Sequence, residues 1–353
     1  APTFGADDMQ VAKAAGIPPM LIENEQGDAV PLVDLRCRFV SEVSDPVWGL
    51  GGEPVKAEYL TDEEKESAFQ SQKESLKEHI PNLSNYLSVD ERISLKLKLE
   101  GKAFKVEKYQ HNYPHCWRTD KPILYYPLDS WFIKSTAAKG KMIELNKTIN
   151  WKPESTGTGR FGNWLENLND WNLSRSRYWG TPLPIWRTGP YGPLMEECVG
   201  AIGEFTEKNA YYITETCLDE NGNRYDGHSL RKYLGEMRLQ GENVNNVWND
   251  LIRSKKVIFF ASLPKEQIDL HRPFVDYAIF FRNGQVMARE LDLIDVWFDS
   301  GSMPYAQWHY PFENKEMVDD GKSFPADFIA EGVDQTRGWF FTLHAISTMI
   351  KGS

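Results

Sequence analysis

The chain has 353 residues, of which 41% are hydrophobic and 26% are charged, and its formal net charge at pH 7 is −11. Its length allows two or three domains, and its hydrophobic content is typical of a globular protein and excludes a disordered one. No run approaches the roughly 20 apolar residues that a membrane-spanning helix needs. The cysteines, Cys37, Cys116, Cys198 and Cys217, lie far apart without a CxxC pair, which argues against a zinc site and a disulfide framework and predicts a reducing cytoplasm.

Helical patterns dominate the first hundred residues. Residues 9–15 form a short helical pattern that a glycine ends. Capping boxes begin at Thr61, before a polar helix that reaches about His79, and again at Ser88. Residues 95–99 alternate like a strand, but the capping box before them and the glycine that follows predict a helix.

The middle of the chain predicts short β segments and then an inserted module. Residues 102–126 form short extended patterns punctuated by prolines, and the apolar run at residues 128–133 predicts a buried strand. A loop ending at residue 159 precedes a helical pattern at residues 160–168. The stretch between residues 186 and 271 has its own turns and helical patterns, one of them at residues 230–255, and predicts an insertion.

Two segments near the end of the chain carry the strongest chemical signal. DVWFDSG occupies residues 295–301, and EGVDQTRGW occupies residues 331–339. The apolar run at residues 324–330 predicts a strand that ends where the second segment begins, and a helical pattern follows at residues 336–350. Carboxylates, a glycine and an amide beside aromatic side chains at a strand end are typical of a ligand site in an open α/β sheet.

These segments, together with WNLSRSRYWGTP at residues 171–182 and HNYPHCWR at residues 111–118, resemble the isoleucyl-tRNA synthetase family of class I. Several motifs in the same order are more specific than one short motif. The resemblance implies an enzyme that activates isoleucine with ATP and loads it onto tRNA. It also implies an α/β fold, namely the second half of a Rossmann-like catalytic domain with a parallel sheet and inserted connective modules, preceded by the C-terminal part of a mainly β editing domain.

The resemblance implies four segments along the chain. We expect the editing part at residues 1–110, the return into the catalytic domain at residues 111–186, the connective insertion at residues 187–270 and the second catalytic half at residues 271–353. The chain contains neither H-I-G-H nor K-M-S-K-S, the segments that bind the phosphates of ATP in this family. We therefore interpret the chain as an internal fragment and expect that alone it forms no aminoacyl-adenylate.

The resemblance assigns an adenylate-binding role to four residues. Glu331, Gly332 and Asp334 would hold the ribose and backbone of isoleucyl-adenylate, and Gln335 would bind its aminoacyl polar atoms. A carboxylate is a good acceptor for a ribose diol, and glycine lets a ligand approach the backbone. Helix capping is the alternative role for Glu331 and Asp334, because negative charge is favourable at a helix start.

Two tryptophans in the recognised segments are candidates for the isoleucine side-chain pocket. Trp179 and Trp339 would form rigid aromatic walls around a branched aliphatic chain. For Trp297, core packing is the preferred interpretation, and Asp295 and Asp299 are expected to shape the strand end. No residue of this chain is predicted to act as a catalytic group, because adenylate formation depends on positioning and charge stabilisation.

The first residues resemble the editing segment of the same family, and the resemblance assigns Asp8 to the editing site. There it would bind the α-amino group of a misattached amino acid; its alternative role is the N-cap of the helix at residue 9. A pocket that senses one methylene discriminates by only about 1–3 kcal/mol, and isoleucyl-tRNA synthetase is the standard example of this limit. The family therefore hydrolyses Val-tRNA(Ile) at a second site.

The resemblance also implies the partners. ATP with Mg2+, isoleucine and tRNA(Ile) are expected for the full enzyme, which we expect to be a monomer without a membrane. A basic run contains Lys96, Lys98, Lys102, Lys105 and Lys108. A solvated helix face and strand edge explains this run, and tRNA contact is the alternative.

Three other interpretations compete with these assignments. The spacing of His111, His115 and Cys116 lacks the second cluster that zinc requires, so no metal ligand is predicted. Valyl- and leucyl-tRNA synthetases share the segment at residues 171–182, but the segments at residues 295–301 and 331–339 suit the isoleucine enzyme better. A carbohydrate-active hydrolase, which also uses paired carboxylates beside aromatic rings, is the remote alternative.

Overall fold

The structure is a computed structural model that describes residues 5–23, 29–126 and 128–352, without the side chains of residues 6 and 7. The chain forms two compact units, Ala1–Asp129 and Ser130–Ser353. The α-helices are α1 (Ala6–Ala14), α2 (Asp62–Ser75), α3 (Val89–Leu99), α4 (Lys139–Asn146), α5 (Gly162–Glu166), α6 (Ile202–Glu207), α7 (Gly227–Leu239), α8 (Val244–Arg253), α9 (Val296–Ala306), α10 (Lys315–Asp319) and α11 (Trp339–Lys351). The strands are β1 (Leu21–Glu23), β2 (Ala29–Pro31), β3 (Phe132–Ile133), β4 (Trp171–Asn172), β5 (Ser174–Arg175), β6 (Ile185–Thr188), β7 (Glu196–Cys198), β8 (Tyr211–Ile213), β9 (Val257–Phe259), β10 (Ala278–Arg282), β11 (Gln285–Arg289) and β12 (Leu293–Ile294).

Capping boxes define the helices of the first unit. The hydroxyl of Thr61 accepts a hydrogen bond from the Glu64 backbone N–H (3.2 Å), and the Glu64 carboxylate accepts one from the Thr61 N–H (2.8 Å). Ser88 makes the same arrangement at the start of α3. Both predicted boxes are confirmed, and residues 95–99 lie within α3 as predicted.

The predicted β segments at residues 102–126 are wrong. In that described stretch the β features are limited to an isolated bridge between His115 and Pro122. Elsewhere in the unit β1 and β2 pair antiparallel. The interior contains the buried Arg92 of α3, which donates to the carbonyl of Trp48 at 2.8 Å and pairs with Glu53 at 3.1 Å. Buried charge is tolerated there because the guanidinium is paired and hydrogen-bonded.

An antiparallel sheet organises residues 185–289 of the second unit. Its strand order is β7-β6-β11-β10-β8-β9. Asn283 and Gly284 join β10 to β11, and their φ angles of 51° and 72° suit a two-residue hairpin turn with both residues in the left-handed region. Because side chains alternate across a strand, Phe280 faces one apolar cluster of this sheet and Ile279 faces the other.

The sheet contains a buried ion cluster next to these apolar layers. Asp276 pairs with the fully buried Arg289 at 2.7 Å and with Arg272 at 2.9 Å. Arg289 also donates to the carbonyls of Leu183 (3.3 Å) and Asp292 (3.1 Å). Burial lowers the pKa of Arg289, and the charge of Asp276 opposes this shift.

The rest of the second unit packs as helices around one apolar cluster. Met142 of α4, Leu165 of α5, Tyr305 of α9 and Phe341 of α11 are buried in this cluster. Strands there are two residues long, and they pair as β3 with β4 and β5 with β12. The mixture of helices and strands is α/β, as predicted, but every strand pair in the described residues is antiparallel.

The strands predicted around the candidate site are wrong. Of residues 128–133 only β3 is a strand, and Leu128 is exposed. Residues 324–330 contain no strand: Phe324 packs into the helical cluster while Phe328 is exposed. Asp295 directly follows β12 and is the N-cap residue of α9, so it does lie at a strand end, as predicted. Apolar composition marked these runs as buried, but only tertiary packing selects which side chains are covered.

The helical predictions were closer, with errors at boundaries. The pattern at residues 230–255 forms two helices, α7 and α8, separated near Gly241, whose φ is +83°. The pattern at residues 160–168 corresponds to α5, preceded by a π-helical turn at Thr156–Phe161 where a loop was expected. The last helix begins at Trp339 and follows a 3-10 turn at Val333–Arg337.

Candidate functional site

Asp295 joins two of the recognised segments. Its Oδ1 accepts a hydrogen bond from the Trp297 backbone N–H (3.2 Å) and caps α9. Its Oδ2 accepts hydrogen bonds from Trp171 Nε1 (3.1 Å) and Arg175 Nη2 (2.7 Å). A buried carboxylate with three such partners is satisfied, so Asp295 fixes the start of α9 against residues 171–175.

The 331–339 segment contacts the same helix. Trp339 Nε1 donates a hydrogen bond to the carbonyl of Ser300 at 3.2 Å. A Cβ on Gly338 would lie 2.8 Å from Gln335 Oε1 and 3.2 Å from Cη2 of Trp297. The segment therefore packs closely against α9 at residue 338, where a Cβ would crowd the Trp297 ring and clash with the Gln335 side chain of the segment itself.

The four predicted adenylate-binding residues lie together on this turn. Glu331, Gly332 and Asp334 are exposed, and Gln335 is half-buried. Gln335 Nε2 donates to Asp334 Oδ2 at 3.0 Å, and Gln335 Oε1 accepts from the Trp339 backbone N–H at 3.3 Å. These bonds fix the orientation of the Gln335 amide relative to the Asp334 carboxylate and the start of α11.

Helix capping does not explain the two carboxylates. The N-cap residue of α11 is Gly338, which has no side chain with which to cap the helix. The first backbone N–H of α11 is bonded to Gln335 instead. Glu331 and Asp334 thus remain available on the surface of the turn, apart from the bond between Asp334 and Gln335.

Trp179 lies in a different environment from Trp339. Its ring stacks on His271 with centroids 5.2 Å apart and an interplanar angle of 7°, and the residue is 72% exposed. Asp269 accepts hydrogen bonds from both the backbone N–H and Nδ1 of His271 at 2.8 Å, so the imidazole is fixed. Among the described residues, no ring contact joins Trp179 to Trp339.

The loop that carries Trp179 nevertheless reaches α9. Thr181 Oγ1 donates a hydrogen bond to Asp299 Oδ2 at 3.0 Å. Burial raises the pKa of Asp299, and the nearby Asp295 adds to this effect, whereas the Thr181 hydroxyl opposes it. Three of the four recognised segments, residues 171–182, 295–301 and 331–339, therefore converge on the first turns of α9, through Asp295, Asp299 and Ser300.

This convergence agrees with comparisons to known proteins. The family model described as tRNA synthetases class I (I, L, M and V) matches residues 25–251 and 240–353. The chain belongs to this synthetase family. The isoleucine–tRNA ligase of Cytophaga hutchinsonii is 55% identical over 352 residues, covering 99% of this chain and 26% of that protein.

Other relatives of this synthetase chain have the same printed name. The isoleucine–tRNA ligase of Bacteroides fragilis is 53% identical, with coverage of 99% of this chain and 28% of that protein. The isoleucine–tRNA ligase of Clostridium acetobutylicum is 37% identical, with coverage of 99% and 24%. The chain spans about a quarter of the length of these relatives.

Asp8, the predicted editing residue of this synthetase chain, lies in the first turn of α1 and is exposed. The helix begins at Ala6, and its N-cap residue is Gly5. The alternative role of Asp8 as the N-cap of a helix at residue 9 is therefore wrong. The editing role remains a prediction.

Three of the five lysines in the basic run of the synthetase chain pair with carboxylates. Lys96 pairs with Asp45 and with Glu100 (3.4 Å), and Lys102 pairs with Glu100 at 2.8 Å. Lys105 pairs with Glu107 at 2.5 Å. Paired lysines contribute little net positive potential for phosphate binding, so these contacts favour a solvated face over a tRNA surface.

Cys116 has an altered pKa, and the other candidate metal ligands are scattered among the described residues. A hydrogen bond with the Thr119 side chain, with help from the backbone N–H groups of Arg118 and Thr119, lowers the pKa of Cys116 to about 7. Within residues 5–23, 29–126 and 128–352, no group of three or more His, Cys, Asp or Glu side chains is arranged to hold a metal ion. No described helix is long and apolar enough to cross a membrane.

Two residues of the site region were missed or undervalued by sequence reasoning. Trp297, expected in the core, is 40% exposed and lies against Gly338 of the candidate turn. Arg160 donates from Nε to the Thr336 hydroxyl at 3.1 Å, although the two are far apart in sequence. For Trp297 the adjacent DVWFDSG motif was a usable signal, whereas nothing in the sequence paired Arg160 with Thr336.

Proposed function

We propose that the chain is part of an isoleucine–tRNA ligase, which activates isoleucine with ATP and transfers it to tRNA(Ile). Membership of the class I family and relatives of that printed name, 37–55% identical over 99% of the chain, support this proposal. The main structural support is the hydrogen bond from Trp339 to the Ser300 carbonyl, which holds the segments at residues 295–301 and 331–339 together.

The 331–339 turn would hold the adenylate. In this reaction the carboxylate of isoleucine attacks the α-phosphate of ATP, and the protein contributes positioning and charge stabilisation. Glu331 and Asp334 offer acceptors for the ribose hydroxyls, Gly332 allows close approach to the backbone, and Gln335 offers its amide to the aminoacyl group. Support comes from the hydrogen bond between Asp334 and Gln335, which fixes the orientation of the two side chains relative to each other.

The isoleucine pocket would be built from tryptophan rings. Trp339 and the neighbouring Trp297 both border Gly338, and Trp297 keeps an exposed face beside the turn. Trp179 would border the pocket from the 171–182 loop, where stacking on His271 fixes its ring. Rigid rings suit a branched aliphatic side chain because they lose little conformational freedom on binding.

The remaining assignments concern the whole polypeptide. ATP would arrive as its Mg2+ complex, as a substrate whose phosphates are bound outside this chain. We further propose that residues 1–110 belong to an editing domain, that residues 111–186 and 271–353 belong to a Rossmann-like catalytic domain, and that residues 187–270 form a connective insertion. A cytoplasmic monomer fits this activity.

The test uses the full-length polypeptide that contains this chain. Isoleucine-dependent ATP–pyrophosphate exchange and aminoacylation of tRNA(Ile) are measured, with valine and leucine as competing substrates. We expect isoleucine to be preferred, and Gln335→Ala to lower kcat/KM for exchange by at least tenfold. Asp327→Ala, which changes an exposed residue of the preceding loop, is the matched control. A preference for valine or leucine would assign the chain to another branch of the family.

Hydrolytic editing of Val-tRNA(Ile) is the second proposed activity. Its support is the exposed position of Asp8 on α1, where the N-cap role is already taken by Gly5. We expect Asp8→Ala to slow deacylation of Val-tRNA(Ile) by the full-length enzyme while leaving isoleucine activation unchanged. Gln10→Ala, on the same helix and also exposed, is the control. Equal deacylation by both variants would remove Asp8 from the editing site.

A further inference from the structure

The π-helical turn at Thr156–Phe161 packs tightly against Trp151 and Asn146. A Cβ on Gly157 would lie 2.2 Å from Cδ1 of Trp151, so the indole fills the space of the missing side chain. Asn146 donates to the carbonyl of Gly157 at 2.9 Å and accepts from Trp151 Nε1 at 2.8 Å. Turns of this kind are rare and often lie at functional sites, where their geometry is held by the surrounding structure.

Arg160 projects from this turn to the adenylate-binding segment. Its Nε donates to Thr336 Oγ1 at 3.1 Å, and the same hydroxyl donates to the carbonyl of Val333 at 2.8 Å. Thr336 is completely buried, whereas Arg160 is exposed. The Thr336 hydroxyl therefore closes the 3-10 turn at Val333–Arg337. It also links this turn to the π-helical turn through the side chain of Arg160.

A second contact continues along the same surfaces. The guanidinium of Arg337 lies over the ring of Trp164, 5.2 Å from its centroid. Trp164 follows Arg160 by four residues, about one helical turn, while Arg337 follows Thr336 directly. Two successive residues of the candidate turn are thus held by two successive turns of one helix.

We propose that Arg160 is a positioning residue for the adenylate-binding segment and that it acts through the Thr336 hydroxyl. The proposal rests on the proposed function, because the segment it positions is the one assigned to isoleucyl-adenylate. Arg160 itself touches no reactant in this scheme. It fixes the backbone between Gly332 and Gln335, and therefore the direction in which Asp334 and Gln335 present their polar atoms.

The expected kinetic signature is a rise in KM. A segment that binds the reactants equally well in the ground state and in the transition state contributes uniform binding energy. Losing this energy raises KM with little change in kcat. In the full-length enzyme we expect Arg160→Ala to raise KM for isoleucine and for ATP by about 10- to 100-fold, with kcat changed less than threefold.

A double-mutant cycle tests whether the effect passes through Thr336. We expect Thr336→Val to raise KM as much as Arg160→Ala does, and the KM of the double variant to be no higher than that of the weaker single variant. Thr336→Ser should retain the wild-type KM because it keeps the hydroxyl. Thr158→Val, which changes an exposed hydroxyl of the same π-helical turn, is the matched control. Additive losses in the double variant, or unchanged KM in the single variants, would overturn the proposal.

Amide hydrogen exchange separates this proposal from the proposed function. Residues 333–338 should exchange at least tenfold faster in Arg160→Ala and Thr336→Val than in the wild type, Thr336→Ser or Thr158→Val. This measurement requires no activity, so it decides the positioning role even if isoleucine is not the substrate. Unchanged exchange in Arg160→Ala would overturn the proposal, and faster exchange without isoleucine-dependent activity would contradict only the proposed function.

Discussion

The antiparallel sheet at residues 185–289 and the helical part that carries the candidate site differ in how they are held together. The sheet has a continuous ladder of six strands with an apolar cluster on each face and a buried ion cluster beside it. Around the site, strands are two residues long, and the segments are joined by a few side-chain hydrogen bonds, which involve Asp295, Arg160 and Trp339.

This difference indicates that the sheet and the site contribute differently to the stability of the second unit. Many cooperating backbone bonds and buried apolar side chains make the sheet a stable module, and changes there should alter stability first. A site built from a few side-chain contacts to short segments has low local stability, as ligand-binding segments commonly do. Changes there should alter the local geometry more than the global free energy of unfolding.

The largest expected effect is in the sheet. Asp276→Ala would leave the guanidinium of Arg289 buried without its partner, and breaking a buried pair in this way costs about 3–5 kcal/mol. We expect this loss in the free energy of unfolding, measured by urea denaturation. Glu266→Ala changes an exposed carboxylate of the same unit and should stay within about 0.5 kcal/mol. A similar small loss for both variants would mean that the ion cluster does not stabilise the sheet.

The next largest effect is a loss of stability in the helical part, which a comparison of two glycines of the π-helical turn should reveal. Gly157→Ala would place a methyl group 2.2 Å from the Trp151 ring, whereas a Cβ at Gly159 has no neighbour within 4 Å. Overpacking should cost Gly157→Ala about 1–3 kcal/mol, measured by thermal unfolding. Gly159→Ala should be neutral or stabilising by up to about 1 kcal/mol. Equal effects would show that the turn is not braced by Trp151.

The smallest effect concerns one half-buried histidine in each part. Burial lowers the pKa of both His228 and His344, and Nε2 of each donates to a backbone carbonyl, that of Arg289 (2.6 Å) and that of Met142 (2.8 Å) respectively. A neutral imidazole donates Nε2–H to such a carbonyl, so the folded state favours the neutral form. The unfolded chain then binds protons more readily, and stability present above pH ~6.5 is lost as the pH falls below it.

Replacing either histidine by glutamine tests this sign. His344→Gln and His228→Gln keep a donor but cannot titrate, so each should reduce the fall in Tm between pH 7.5 and pH 5.5. If the sheet is the more stable module, His344→Gln should also alter exchange in α11 without changing exchange in the sheet. A steeper loss of Tm in either variant would contradict the burial of a neutral imidazole.

Local chemistry in the sequence determined the capped helices and the identity of the site segments. The Thr61 and Ser88 boxes are contacts between residues three apart, so they form wherever the chain enters a helix. The 331–339 turn was likewise found from its side chains, and the structure places its four polar candidates together. Sequence resemblance was enough for the family because the motifs are contiguous.

Tertiary structure alone decided which apolar runs became strands and which distant residues hold the site. Residues 128–133 and 324–330 have strand-like composition, but a strand requires a partner at hydrogen-bonding distance, and the described chain offers one only to Phe132–Ile133. The pairing of Arg160 with Thr336 joins residues 176 positions apart, and the contact of Trp297 with Gly338 spans two helices. Such contacts depend on how the elements pack, a property that no local pattern encodes.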